Sequence, residues 1–333
     1  MSNVKHVILT GGVGSRLWPL SRISKPKQYL DIFSESSLFE LTVRRNASFS
    51  DGLIVVGNQL NRSLSEKSLQ KLKIEHYIDI VEFAPRNTAP AIAFAAFASH
   101  ADDILLITPA DHIIKEGKDY ADAINSGIAL AEEDNIVTFG IKPNRPETGF
   151  GYIEANGDNV KSFREKPTLE QAKIFLAQGN FLWNSGIFCF KAGIFLEELK
   201  KYNPEVYDKS LVAWNAANDY KLEEATSLNI PSISVDYAVM EKSDKIKVVG
   251  SNFEWSDMGS FEAMYDYLKD QGHPVDSNGN MHIGNNIHTE FIGLQNCILV
   301  QTDDANLVLS KEASQDVKQV YQELERIQSS LIY

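Results

Sequence analysis

Residues 9–30 read LTGGVGSRLWPLSRISKPKQYL. They follow directly on the apolar run VKHVILT (residues 4–10), so a first strand is predicted to end in a glycine turn that opens into a basic segment. Glycines let a backbone approach a phosphate closely, and exposed amides can donate to its oxygens. Arg16, Lys25 and Lys27 can neutralise charge that grows in a transition state. Glycine pairs after strands are also ordinary turns, so Gly11, Gly12 and Gly14 alone leave turn and ligand loop equally open. Two phosphate motifs fail on spacing: a dinucleotide fingerprint counted from Gly12 meets Leu17 where its third glycine belongs, and no GxxxxGK occurs.

Outward from this segment, short apolar runs alternate with stretches of helical period. SSLFELTVRRNAS, GLIVVG, RSLSEKSLQKLK and YIDIVEF predict βαβ units. APAIAFAAFASHA fits a buried helix, and DDILLITPADH a strand ending in a polar cluster. Ligands of open α/β sheets gather beyond the carboxyl ends of strands, so the loops after residues 9 and 107 are the first candidates. Beyond residue 135 the strands shorten: NIVTFGI, GYIEA, VKSFREKP, SGIFCFK and IKVVG. The expected fold is α/β, a doubly wound mixed sheet over residues 1–272. A small appendage follows at 273–333, past the turn formers GHPVDSNGN (272–280). Its expected strands are NIHTEF, CILVQT and NLVLS, which could be turns of a small β-solenoid. A closing helix over 311–333 would place Val317, Val320, Tyr321, Leu324, Ile327 and Leu331 on one face. That stripe suggests a homodimer, with docking onto its own domain an equal alternative.

Composition narrows the partners. With 32 basic against 45 acidic residues the chain carries −13, which opposes non-specific binding to nucleic acid or an anionic membrane. Cys189 and Cys297 lie far apart without metal spacing, so neither a disulfide framework nor a zinc site is expected. There is no signal-peptide pattern and no long uncharged apolar stretch, and a cytoplasmic protein is expected.

GGVGSRLWPLSRISKPKQ closely resembles the signature GGxGxRLxPLSxxxPKQ of the sugar-nucleotide pyrophosphorylases. The resemblance continues through FAPRNTAPAIAFAA (83–96), LITPADHII (106–114), ETGFGYIE (147–154), FREKP (163–167), LWNSGIF (182–188), SVDYAVMEKS (234–243) and WSDMGSF (255–261). PRNTAPA, WNSGIF and AVMEKS are most similar to the guanylyltransferase branch that uses mannose 1-phosphate. This implies GTP and mannose 1-phosphate as substrates, and GDP-mannose and pyrophosphate as products. Another hexose 1-phosphate or nucleotide is the nearest alternative, and a non-catalytic nucleotide-sugar-binding subunit the one from another class. Many such relatives carry a cupin-like isomerase module, and a single activity is expected here.

The resemblance also implies roles. Arg16 and Lys27 would be catalytic, meeting phosphates near the reaction centre. Leu9, Gly11, Gly12, Gly14, Ser15, Asn87 and Thr88 would form the nucleotide pocket. Asp111 and Asp257 would hold Mg2+, an ion that suits a few carboxylates plus phosphate oxygens. Gly151, Glu165, Lys166 and Asn184 would bind the sugar phosphate. Each has a plainer alternative: a helix cap for Asp111, a surface ion pair for Glu165–Lys166, a turn for Asn184. Adjacent strand residues point to opposite faces, so Glu165 and Lys166 can cooperate only if the following proline distorts the strand. Arg164 stands where the family usually has valine and is expected to be exposed. Tyr152, Trp183 and Trp255 are read as core before sugar contacts. His112 is not assigned as a ligand.

Overall fold

The computed structural model describes residues 3–31, 36–285 and 287–333. Its strands are, in chain order, Val4–Leu9 (β1), Gly52–Asn58 (β2), Ile78–Glu82 (β3), Ile104–Pro109 (β4) and Ile113–Ile114 (β5). Ile136–Ile141 (β6), Tyr152–Asn156 (β7), Asn159–Arg164 (β8), Phe181–Lys191 (β9) and Ile246–Ser251 (β10) follow. Trp255–Ser256 (β11), Met281–Ile283 (β12), Cys297–Gln301 (β13) and Asn306–Ser310 (β14) complete the series. The chain packs as two compact units, each discontinuous in sequence. The first holds Met1–Gly11, Glu40–Ala110 and Ile114–Trp255; the second holds Gly12–Phe39, Asp111–Ile113 and Ser256–Tyr333.

In the first unit, nine strands form one mixed sheet in the order β3-β2-β1-β4-β9-β6-β10-β8-β7 among the described residues. β1 runs parallel to both β2 and β4, with Leu9 opposite Val56 and Pro109. The chain therefore leaves two adjacent strands side by side, once toward the glycine loop and once toward Asp111. β9 is antiparallel to β4 and β6, which makes the sheet mixed. β6 is buried along its whole length, as expected of a strand covered on both faces. The helix Thr88–Phe97 packs on one side with helices Ala192–Tyr202 and Pro204–Ala216, and every residue from Ala89 to Ala96 is buried. Its apolar composition all round fits that sandwiched position. Helix Lys118–Glu132 packs in a separate apolar cluster of the same unit, with Leu106 of β4, Phe139 of β6 and Ile187 of β9. Tyr152 and Trp183 are buried there and Trp255 packs against it, while Arg164 is exposed.

The second unit carries the glycine loop, 3-10 turns at Ser15–Leu17 and Lys27–Tyr29, the helix Phe261–Asp270 and a small sheet, β12-β13-β14. Two expectations are corrected here. Residues 287–291 of the predicted strand NIHTEF carry no strand, and Asn286 lies outside the described residues. The strand is instead Met281–Ile283, parallel to β13, because Met281 and Ile283 alternate as buried residues whereas Ile287 is exposed. The closing helix is shorter than 311–333: α-helix spans Val317–Arg326 between 3-10 segments Lys311–Asp316 and Ser330–Ile332. Gln328 at φ 52 stops the helix short of Leu331; within the helix Val317 and Tyr321 are buried, as is Ile332 beyond it, while Val320 and Ile327 are exposed. The helix docks on the Ser15–Leu17 turn of its own unit, the cis alternative.

Candidate active site

A cavity of about 460 Å3 lies in the second unit, lined by residues 12–17 of the glycine loop, Lys27, Asp111, His112, Asp257, Gly259, Tyr321 and Glu325. Lys27 is buried at 4% exposure. Its Nζ lies 2.7 Å from Asp111 Oδ2 and donates to the Asp257 main-chain carbonyl at 2.5 Å. One ammonium thus joins the two sequence segments that carry the expected carboxylates. Gly14 explains how the loop accommodates it: at φ 78 a Cβ would stand 2.6 Å from Lys27 Cβ, so only glycine lets the chain pass. The loop is closed by Ser21 Oγ donating to Gly14 O at 2.6 Å and Lys27 N donating to Val13 O at 3.1 Å. Arg16 is half-buried on the lining and forms no hydrogen bond or ion pair among the described residues. Lys25 instead pairs with Asp31 at 2.8 Å on the surface.

Burial alone would raise the Asp111 carboxyl. The charges of Lys27 and of His112, whose Nε2 lies 3.8 Å away, outweigh it together with the Lys27 hydrogen bond, and hold the group below the usual carboxylate range. Asp257 Oδ1 accepts the Gly259 N–H at 3.1 Å, which fixes the carboxylate on the cavity lining. Among the described residues no group of three or more His, Cys, Asp or Glu side chains is arranged to hold a metal. Two carboxylates beside a cavity with room for phosphates fit a divalent ion that draws its remaining ligands from phosphate and water.

The four expected sugar residues come together in the first unit. Asn184 N donates to Gly151 O at 2.8 Å, and a Cβ on Gly151 would meet Glu165 Oε2 at 2.5 Å, so the carboxylate lies against the bare Cα. Lys166 has φ 46, and its Nζ reaches Glu165 Oε1 at 3.1 Å. The strand's alternation is broken there, and the two neighbouring head groups share one side. Asn184 Oδ1 accepts from Thr138 Oγ1 and from Gly186 N, both at 3.1 Å, while its Nδ2 donates to Asp236 Oδ1 at 3.0 Å. Asp236 opens a turn of π-helix, Asp236–Met240, a distortion often found at functional sites. Burial pushes its carboxyl up to about 6; the Glu165 charge adds to the rise, and the Ser234 hydroxyl, an Asp236 main-chain hydrogen bond and Lys166 oppose it.

Leu9 ends β1 and Gly11 follows in the same unit, exposed. Asn87 is also exposed and caps its helix, accepting from Thr88 N at 2.8 Å; Thr88 Oγ1 accepts from Val235 N at 2.8 Å. Sequence reading assigned no role to Asp236, Glu241, whose Oε1 accepts the Glu165 N–H at 3.3 Å, or Glu325. A usable signal existed for Glu325, which stands four residues after Tyr321 and shares its helix face. Nothing in spacing distinguished Asp236 from the rest of SVDYAVMEKS.

The model of the nucleotidyl transferase family matches residues 5–272, and that of a MannoseP isomerase/GMP-like beta-helix domain matches 274–324. The chain belongs to the nucleotidyl transferase family. It is 39% identical to the Xanthan biosynthesis protein XanB of Xanthomonas campestris pv. campestris and 39% identical to a mannose-1-phosphate guanylyltransferase of Escherichia coli. Each alignment covers 97% of this chain and 74% of the relative. Among solved structures, one from Thermus thermophilus described as a mannose-1-phosphate geranyltransferase superposes with a TM-score of 0.81 at 26% identity, covering 97% of this chain and 99% of the other. A Helicobacter pylori protein described as mannose-6-phosphate isomerase gives 0.70 at 38% identity, over 76% of this chain and 99% of the other. Among the described residues no helix is long and apolar enough to cross a membrane.

Proposed function

We propose that the chain transfers GMP from GTP to α-D-mannose 1-phosphate, giving GDP-mannose and pyrophosphate. The observation that carries this reading is the buried Lys27 ammonium, fixed between Asp111 and the Asp257 carbonyl on a glycine-loop cavity where Arg16 stays unpaired among the described residues. Such preorganised positive charge suits a triphosphate and the charge that develops as it is cleaved. The choice of GMP and mannose 1-phosphate rests on relatives named for that reaction.

A phosphate oxygen of the sugar phosphate forms a bond to the α-phosphorus of GTP as the bond to the pyrophosphate oxygen breaks on the opposite side. No general base is required, because the attacking phosphate is largely ionised at neutral pH. Arg16 and Lys27 hold the phosphate oxygens and spread their charge. Main-chain groups of Gly11, Gly12, Gly14 and Ser15 meet the triphosphate, with Leu9, Asn87 and Thr88 on the nucleoside. Asp111 and Asp257 would hold a divalent ion, Mg2+ in this reading, whose bound charge withdraws electron density from the phosphate oxygens. Gly151, Glu165 and Asn184 position sugar hydroxyls, and Lys166, which is largely exposed and can leave Glu165, meets the sugar phosphate.

The test is pyrophosphate release from a matrix of nucleoside triphosphates and sugar 1-phosphates, run with Asp111→Asn and Lys27→Ala and alongside an assay of mannose 6-phosphate isomerisation. Release confined to GTP with mannose 1-phosphate and lost in both variants is expected. Release with another pair would change the substrates. Binding of GDP-mannose without any release would replace the enzyme by a binding subunit, and isomerisation would end the single-activity reading.

A further inference from the structure

The glycine signature contains residues that do not line the cavity at all. Trp18, 6% exposed, donates its Nε1–H to the Leu331 carbonyl at 2.9 Å. Arg22, 8% exposed, donates to the same carbonyl and to Pro19 O, and its Nη2 pairs with Asp304 Oδ1 at 2.7 Å. Ile23 N donates to Ile332 O at 2.8 Å, and the Ile332 side chain is buried. Asp304 lies in the turn that joins β13 to β14, where Thr302 N donates to Ala305 O at 2.9 Å. A buried guanidinium thus ties the basic segment to two distant pieces of the C-terminal region. The helix that precedes this tail rests on the Ser15–Leu17 turn and presents Tyr321 and Glu325 to the cavity.

From these contacts we infer that the C-terminal helix and its tail are a positioning wall of the nucleotide cavity, with Trp18, Arg22 and Ile23 as the points where the tail holds the glycine loop. The physical need follows from the loop itself. Gly12 and Gly14 take left-handed conformations, and a glycine-rich segment loses much conformational freedom when it orders around a ligand. A loop already fixed by the tail escapes that loss at the moment of binding, so its affinity for a polyanion rises. Trp18 and Arg22 are positioning residues here: neither touches the cavity, and both act through the conformation of residues 12–17.

This inference rests on the proposed guanylyltransferase reading, and its test separates the two. Asp304→Asn, Ile332→Ala and a chain ending at Gln328 are compared with the wild type for GTP binding by calorimetry, for KM of GTP and of mannose 1-phosphate, and for thermal unfolding. Removing several hydrogen bonds and the buried Ile332 is expected to weaken GTP binding and raise its KM roughly tenfold or more in the truncated chain. Asp304→Asn gives a smaller rise, and the KM for mannose 1-phosphate stays within about twofold in all three. The idea is overturned if both KM values move together, or if unfolding temperature falls while GTP binding and its KM hold. A wild type that binds no nucleoside triphosphate would sink the guanylyltransferase reading instead, before any variant is made.

Discussion

In the glycine-loop cavity Arg16 is left without a partner among the described residues, whereas Asn184, in the other unit, already spends both ends of its amide on Thr138, Gly186 and Asp236. The contrast matches what each region is proposed to hold. A triphosphate arrives with several negative charges and rewards uncompensated positive charge held rigidly in place. A sugar arrives with neutral hydroxyls and rewards acceptors whose orientation is fixed beforehand by second partners. The largest break in this contrast is expected from Lys27→Ala, which removes the buried cation and leaves Asp111 only the more distant His112. A fall in kcat of about a thousandfold is expected in a pyrophosphate-release assay, with the KM for mannose 1-phosphate little changed.

Gly14→Ala probes the same cavity without touching its charge. The added methyl would stand 2.6 Å from Lys27 Cβ at a backbone φ of 78, so loop and lysine must move apart. Displacement of a catalytic group by around an ångström costs roughly a hundredfold in rate. Restoration of wild-type kcat/KM in this variant would show that Lys27 need not sit where the structure has it.

Asp236→Asn tests the sugar side. Its carboxyl is raised to about 6, so it takes up a proton as pH falls through that value and loses one acceptor oxygen. The wild-type KM for mannose 1-phosphate is expected to rise below pH 6, and the variant is expected to have a KM about tenfold higher at pH 8 with that pH step absent. The substrate phosphate titrates near the same pH, but equally for both proteins, so the difference between their profiles isolates Asp236. In stability the sign runs the other way. The folded state holds this proton more tightly than the unfolded chain, so the favourable contribution is complete below the unfolded value near 3.8 and is lost as pH rises through 6. Asp236→Asn is therefore expected to raise the unfolding temperature at pH 8 relative to wild type and to leave it alike at pH 3.

Much of this was legible in residue order. The strands around the glycine loop announce themselves through unbroken apolar runs such as ILLIT, and the helix Thr88–Phe97 through small residues all round. Lys27 was legible because a motif fixes its distance from Gly14. The missed parts are those set by long-range packing. Asp236 meets Asn184 across 52 positions, and no local period encodes that meeting. The strand expected at 286–291 failed because IHTEF alternates as well as MHI does, and only the partner strand β13 decides which of them is buried. The terminal stripe was overdrawn because Gln328 takes a positive φ that helical periodicity does not foresee and the helix ends before Leu331, while Val320 and Ile327 on the expected face stay exposed.

The smallest expected effect has the opposite sign to the others. Glu325 stands on the cavity lining and has no ion-pair partner among the described residues, so its carboxylate faces the space proposed for a polyanion. Like charges repel, and at an exposed position the repulsion is screened to a modest size. Glu325→Gln keeps the helix and its contacts with the Ser15–Leu17 turn, so the loop stays positioned while the repulsion goes. GTP is then expected to bind about two- to fivefold more tightly at low salt, with the gain shrinking as ionic strength rises. Because every other variant here weakens the enzyme, a gain with this salt dependence cannot come from general damage. Weaker binding in Glu325→Gln would mean that the carboxylate accepts a hydrogen bond from the nucleotide, and Glu325 would then join the Asn184 cluster as a fixed acceptor instead of opposing the polyanion.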